Sequence, residues 1–220
     1  MRCRLHDRAA APTLSRVEDA FDSPIPRFAS RGRAFAYVLP CRDEDLLKVG
    51  FSRDPLQRMQ TLHSRFFDFF DLDRAFLIAT DHVRDARRIE REFLTTFAER
   101  RSPAPLVVPD AAAGYTEWHR GAYADAVAMA ESIAAKDGFI LHAPLRAWLR
   151  DVFVERGALL FAWSSKMLEA IEYERHNGPP SPRPSAIERA LRDALDCFVA
   201  LDIEIEPLAP EPVLDWYRYR

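Results

Sequence analysis

Two short apolar runs, AFAYVL over Ala34–Leu39 and LLKVGF over Leu46–Phe51, flank a polar turn that holds Pro40, Cys41 and the acidic group Asp43-Glu44-Asp45. Runs of this length, aromatic-rich and bounded by turn residues, predict a β-hairpin. Ser52-Arg53-Asp54-Pro55 follows at once. Asp54 suits a helix N-cap, and Pro55 suits the first helical position, where its missing N–H costs nothing. Leu56, Met59, Leu62 and Phe66 then keep helical spacing. A hairpin feeding directly into an amphipathic helix points to an α+β chain, with a small antiparallel sheet covered by helices.

The pattern continues with a third strand over Asp71–Thr80, a strong amphipathic helix over Asp81–Arg101, a strand-like turn over Gly114–Arg120 and a helix over Tyr123–Lys136. The expected sheet is therefore three-stranded and antiparallel. Beyond it the chain reads as mainly helical. Pro144–Arg175 carries an apolar stripe through Leu145, Trp148, Leu149, Val152, Phe153, Leu159, Leu160, Trp163, Met167 and Ile171, with Gly157 as a break or bend. Asn177–Ser185 is a stiff Pro-rich linker, Ala186–Leu201 another helix, and the rest an acidic Pro-containing tail. The expected division is a loosely ordered leader at 1–32, a folded α+β domain at 33–136 and a helical region at 137–220.

Hydrophobic residues make up 48% of the 220, enough for a real core. No run approaches the roughly 18–20 apolar residues needed to span a bilayer, so no membrane partner is expected. The N-terminus lacks the apolar segment of a secretory signal. Three widely spaced cysteines (Cys3, Cys41 and Cys197) fit a reducing cytoplasm better than a disulfide framework. The net charge of −3 hides an asymmetry. Residues 1–101 carry +3 and residues 102–220 carry −6, so a nucleic-acid partner would meet the first half. Only Lys48, Lys136 and Lys166 are lysines among 31 basic residues, a bias that GC-rich coding explains.

Several polar side chains stand where packing does not require them. Tyr37 and Lys48 lie in mid-strand, and Arg58 lies on the first turns of the following helix. Gly50 leaves room for something to approach the backbone. On a helical wheel Glu90 falls inside the apolar face made by Ala86, Ile89, Phe93 and Phe97. A carboxylate there must be paired or bind a cation. Arg84, Arg87, Arg88 and Arg91 form a stripe on the opposite side, read as a solvated face. Taken singly, each of these residues has an ordinary structural explanation.

Taken in order, they resemble a known family. Tyr37-Val38-Leu39, then Lys48-Val49-Gly50, then Ser52-x-Asp54-x-x-x-Arg58 resembles the GIY-YIG endonuclease fold. Glu90-x-x-Phe93-Leu94-x-x-Phe97 resembles its catalytic-Glu helix. Lys48-Val49-Gly50 together with Glu117-Trp118-His119 resembles the phage-type T5orf172 or Mug113 branch. The resemblance covers about residues 33–130. Phe35-Ala36 replaces the usual Gly-Ile, Lys48 replaces the second Tyr, and Leu62 stands where a His or Tyr often follows the Arg, with His63 one residue on.

The resemblance implies a nuclease, acting on DNA, that hydrolyses phosphodiesters through Tyr37, Lys48, Arg58 and Glu90. Glu90 would hold Mg²⁺ or Mn²⁺, Tyr37 would position or deprotonate the attacking water, and Arg58 would bind the phosphate. Lys48 would depress the Tyr37 pKa or bind phosphate as a point charge. His63 and Glu117 are accessory candidates, Glu117 either as a second acid or as a helix N-terminal residue. Trp118 reads as core. The alternative is a catalytically inactive nucleic-acid-binding or scaffold protein on the same fold, with Glu90 tied up in a salt bridge. The C-terminal helices are expected to pack on the nuclease core, on a second copy as a homodimer, or on a protein partner.

Overall fold

The computed structural model describes residues 33–179, 181 and 183–219, so Cys3 and the leader expected at 1–32 lie outside the described residues. Strands β1 (Ala34–Pro40) and β2 (Leu47–Ser52) form the hairpin, with Tyr37 opposite Gly50 and Leu39 opposite Lys48. The side chain of Asp54 caps helix α1 (Pro55–Leu62) by accepting from the Gln57 N–H at 2.9 Å. The helix stops at Leu62, because His63 turns extended and its Nδ1 accepts from the Arg65 N–H. Phe66 therefore belongs to a separate short helix, α2 (Phe66–Phe69).

Strand β3 (Phe76–Thr80) is shorter than expected. The Asp71 carboxylate accepts from the Asp73 and Arg74 N–H groups, an Asx-type turn that holds Asp71–Ala75 out of the sheet. Helix α3 (Val83–Thr96) follows, then a single 3₁₀ turn at Ala98–Arg100 and the short helix α4 (Asp110–Ala113). Strand β4 (Trp118–His119), helix α5 (Tyr123–Asp137) and strand β5 (Ile140–His142) complete this half.

The sheet has five antiparallel strands in the order β4-β2-β1-β3-β5, not the three expected. The two extra strands are edge pieces of two and three residues, too short to carry a period-two pattern. As the central strand, β1 is buried on both faces. Ala36 and Val38, with Val49 and Ile78, pack against Ile89 and Phe93 of α3 and Ala126 and Ile133 of α5. Phe35, Tyr37 and Leu39 face the opposite way, toward Leu56, Met59 and the C-terminal helices.

Those helices are α6 (Leu145–Val154), α7 (Gly157–Asn177), α8 (Ala186–Ala200) and α9 (Glu211–Tyr219). The long apolar stripe does divide just before Gly157. Ser185 and Glu188 close a capping box at the start of α8. The expected tail contains α9, whose Val213, Leu214 and Trp216 join the same core. Arg65 fastens α8 to the sheet half through Asp193 at 2.6 Å and Asp196 at 2.7 Å. Among the described residues no helix is long and apolar enough to cross a membrane.

Candidate active site

Opposite residues in an antiparallel pair project to the same face. The register of β1 and β2 therefore sets Tyr37, Leu39, Lys48 and Gly50 side by side, and pairing of β4 with β2 adds Trp118 beside Lys48. Lys48 is wholly buried. Its ammonium donates to the Ala113 carbonyl at 2.9 Å and to Glu117 Oε2 at 2.5 Å, and it lies 5.0 Å from the centre of the Trp118 ring. Burial pulls the Lys48 pKa down, and the hydrogen bond and charge of Glu117 oppose that pull.

Local geometry makes the Glu117 contact possible. Helix α4 ends at Gly114, whose φ of +69° lies in the region that glycine tolerates. A Cβ there would stand 2.7–2.8 Å from the Glu117 carboxyl group. The chain thus folds back so that the carboxylate sits over Gly114. The Trp118 indole N–H anchors the turn by donating to the Ala113 carbonyl at 2.7 Å.

Arg58 approaches from α1. Its Nε donates to the Tyr37 hydroxyl at 3.3 Å and its Nη2 to the Ala112 carbonyl at 3.1 Å, with Glu117 Oε2 3.9 Å away. Burial pushes the Tyr37 phenol up to about 12, and the cation that opposes this is Arg58. The expected depression of Tyr37 by Lys48 does not occur, because the Lys48 ammonium is directed at Glu117 and Ala113. At neutral pH Tyr37 is a neutral phenol. Its oxygen accepts from Arg58, which leaves its own proton available for donation.

Glu90 comes from α3, on the other layer, and is half-buried. Burial, and then the negative charge of Glu117, push its carboxyl up to about 7; Lys48, Arg87 and the Phe51 backbone amide pull the other way. Glu90 makes no ion pair among the described residues, so the salt bridge that would mark a purely structural role is missing there. A half-buried carboxylate short of positive charge suits a hard cation that takes one or two carboxylates and completes its shell with water and phosphate oxygen. Among the described residues no group of three His, Cys, Asp or Glu could build a cage from protein ligands alone. Glu90 is thus a single carboxylate of the kind such an ion takes, and the described residues do not make a zinc-type site.

Tyr37, Lys48, Arg58 and Glu117 form one bonded group, and Glu90 is coupled to Tyr37 and Lys48 through charge. His63 stands apart. It stacks on Phe69 at 4.7 Å and holds the Arg65 N–H. Trp118 is core, as expected. Sequence reasoning missed the Ala112 and Ala113 carbonyls, since a backbone acceptor has no residue signature. It also left open the role of Glu117, for which Gly114 three residues earlier was the available cue. His119 is buried with neither ring nitrogen hydrogen-bonded among the described residues, and burial with Arg101 nearby keeps its pKa low.

A groove of about 980 Å³ lies between α7, α8 and Trp216 and is lined by none of the candidate-site residues. Three of its arginines are engaged: Arg175 with Glu188, Arg189 with the Pro184 carbonyl, and Arg192 against Trp216. Residues 34–134 match the family model described as the T5orf172 domain. No curated protein and no solved structure gives a significant match to the chain.

Proposed function

From a T5orf172 domain over residues 34–134, nuclease-like by family, we propose that the chain is a metal-dependent endonuclease that hydrolyses phosphodiester bonds, with DNA as substrate and Glu90 as the holder of Mg²⁺ or Mn²⁺. The observation that carries this reading is the bonding of Arg58, engaged mainly by neutral acceptors, to the Tyr37 hydroxyl, with a half-buried Glu90 that makes no ion pair among the described residues close enough for its charge to act on Tyr37.

The residues divide the work by exposure. Arg58 is 28% exposed and can turn its guanidinium edge to a phosphate oxygen as negative charge develops. Tyr37 is only 3% exposed, but unlike the Lys48 ammonium its O–H proton has no acceptor among the described residues; it donates to the attacking water or to the phosphate, and so positions the nucleophile as a neutral phenol. Lys48 is a positioning residue, since a fully buried ammonium bonded to Glu117 and Ala113 cannot also grip substrate. It fixes the end of α4 and the turn to β4, and the Ala112 carbonyl of α4 orients Arg58. A cation bound at Glu90 would supply charge to the scissile phosphate and the leaving 3′-oxygen. Water adds to phosphorus as the P–O3′ bond breaks, leaving a 5′-phosphate and a 3′-hydroxyl.

The test is incubation of the full chain with single- and double-stranded DNA and RNA, with Mg²⁺ or Mn²⁺ against EDTA. Metal-dependent internal cleavage of DNA supports the reading. No cleavage of any substrate favours the catalytically inactive binding or scaffold protein.

A further inference from the structure

Among the described residues most arginines are spoken for. Arg42 donates to two carbonyls, Arg65 holds three carboxylates, Arg100 pairs with Asp125, Arg120 with Glu44, and Arg146 with Asp73. The exposed stripe on α3 differs. Only Arg88 is firmly paired there, with Asp137 at 2.5 Å and Glu92 at 3.5 Å. Arg84 has an 81%-exposed side chain and only a 3.9 Å approach to its own neighbour Asp85. Arg91 is exposed and makes no ion pair among the described residues. Arg87 is also exposed, and its guanidinium lies 5.0 Å over the Phe51 ring.

Arg87 links the stripe to the candidate site. Phe51 follows Gly50 on β2, and its backbone amide faces Glu90, one helical turn from Arg87. Stacking on an aromatic face fixes the plane of a guanidinium and leaves its N–H edge free for a second partner. Arg84, Arg87 and Arg91 lie within about 60° of one another on the helix, and at 1.5 Å per residue they span about 10.5 Å. Successive phosphates of a duplex strand advance about 3.4 Å along the axis, so the ridge matches a stretch of about three nucleotides.

We propose that Arg84, Arg87 and Arg91 form a phosphate-binding ridge that carries the backbone of a nucleic acid strand past Glu90. The ridge rests on the nuclease reading for the direction of the strand, but its charge and exposure stand without it. It reads no bases, because its contacts are to phosphate alone.

The experiment is equilibrium binding of a labelled DNA duplex, and of an RNA duplex of the same sequence, across a salt series in EDTA. The proteins are the wild type, the triple variant Arg84→Ala/Arg87→Ala/Arg91→Ala, and a control triple Lys136→Ala/Arg150→Ala/Lys166→Ala that removes three other exposed cations. The ridge predicts that the slope of log K against log salt falls in magnitude by about two to three in the α3 triple and stays at the wild-type value in the control. Arg87→Lys keeps the wild-type slope. The duplex that shows the larger change identifies the backbone the ridge fits. An unchanged slope in the α3 triple, an equal loss in the control, or no binding of either duplex by the wild type overturns the proposal. Cleavage by wild type with an unchanged slope removes the ridge and leaves the nuclease; a reduced slope without cleavage of any substrate does the reverse.

Discussion

Tyr37 and Gly50 face each other across the central hairpin so closely that a Cβ on residue 50 would lie within 2.8 Å of three atoms of the Tyr37 phenol. The glycine of the Lys-Val-Gly run is thus the space in which the tyrosine hydroxyl sits. Gly50→Ala therefore displaces the ring rather than straining the backbone. The expected loss is about 1–3 kcal/mol by denaturant unfolding, as for overpacking elsewhere. The same substitution in a Tyr37→Ala background costs much less, and equal costs in the two backgrounds would disprove the contact.

The Lys48–Glu117 pair is asymmetric. Lys48 is fully buried, whereas the Glu117 side chain is 26% exposed and can be hydrated. Removing the carboxylate strands a buried ammonium, which costs about 3–5 kcal/mol; removing the ammonium leaves a carboxylate that water can reach. Glu117→Ala is accordingly more destabilising than Lys48→Met. Chemical denaturation of the two variants gives the order directly, and the reverse order contradicts the burial pattern.

Glu90 gives a pH signature. Its carboxyl is raised to about 7 in the folded chain, above an unfolded value of about 4.3. Its favourable contribution is complete below the unfolded pKa and is lost as pH rises through about 7. Glu90→Gln stays neutral throughout. In EDTA the variant should therefore gain thermal stability over wild type as pH rises through the 4.3–7 window, then hold a constant lead. A lead independent of pH would show that ionisation of Glu90 costs the fold nothing.

Arg58 reaches Tyr37 and the Ala112 carbonyl with two different guanidinium nitrogens. A lysine supplies a single ammonium and cannot hold both while offering an edge to phosphate. Arg58→Lys should lower kcat/KM by about 100-fold or more with little change in the unfolding midpoint. Retention of activity would mean that charge alone suffices at this position.

Much of this was legible in the sequence because the signals were local. The hairpin, the Asp54 cap with Pro55 behind it and the place of Glu90 on the inner side of α3 follow from period, capping chemistry and a helical wheel. β4 and β5 were not legible, because two or three residues at a sheet edge owe their conformation to the neighbouring strand. The partner of Lys48 was hidden for a related reason. Glu117 lies 69 residues away, and a loop, a glycine with positive φ and two carbonyls bring it back. The position of Tyr37 was legible and its acidity was not, since burial of a phenol is a property of the packed core.

The proposal that Glu90 holds the metal of a phosphodiester-hydrolysing site stands or falls with the single-turnover cleavage rate of Glu90→Gln against wild type on the same DNA in saturating Mg²⁺, with folding of both verified. The expected fall is about 1000-fold or more, in line with loss of a group that supports transition-state charge. Cleavage by Glu90→Gln within a few-fold of wild type would contradict it.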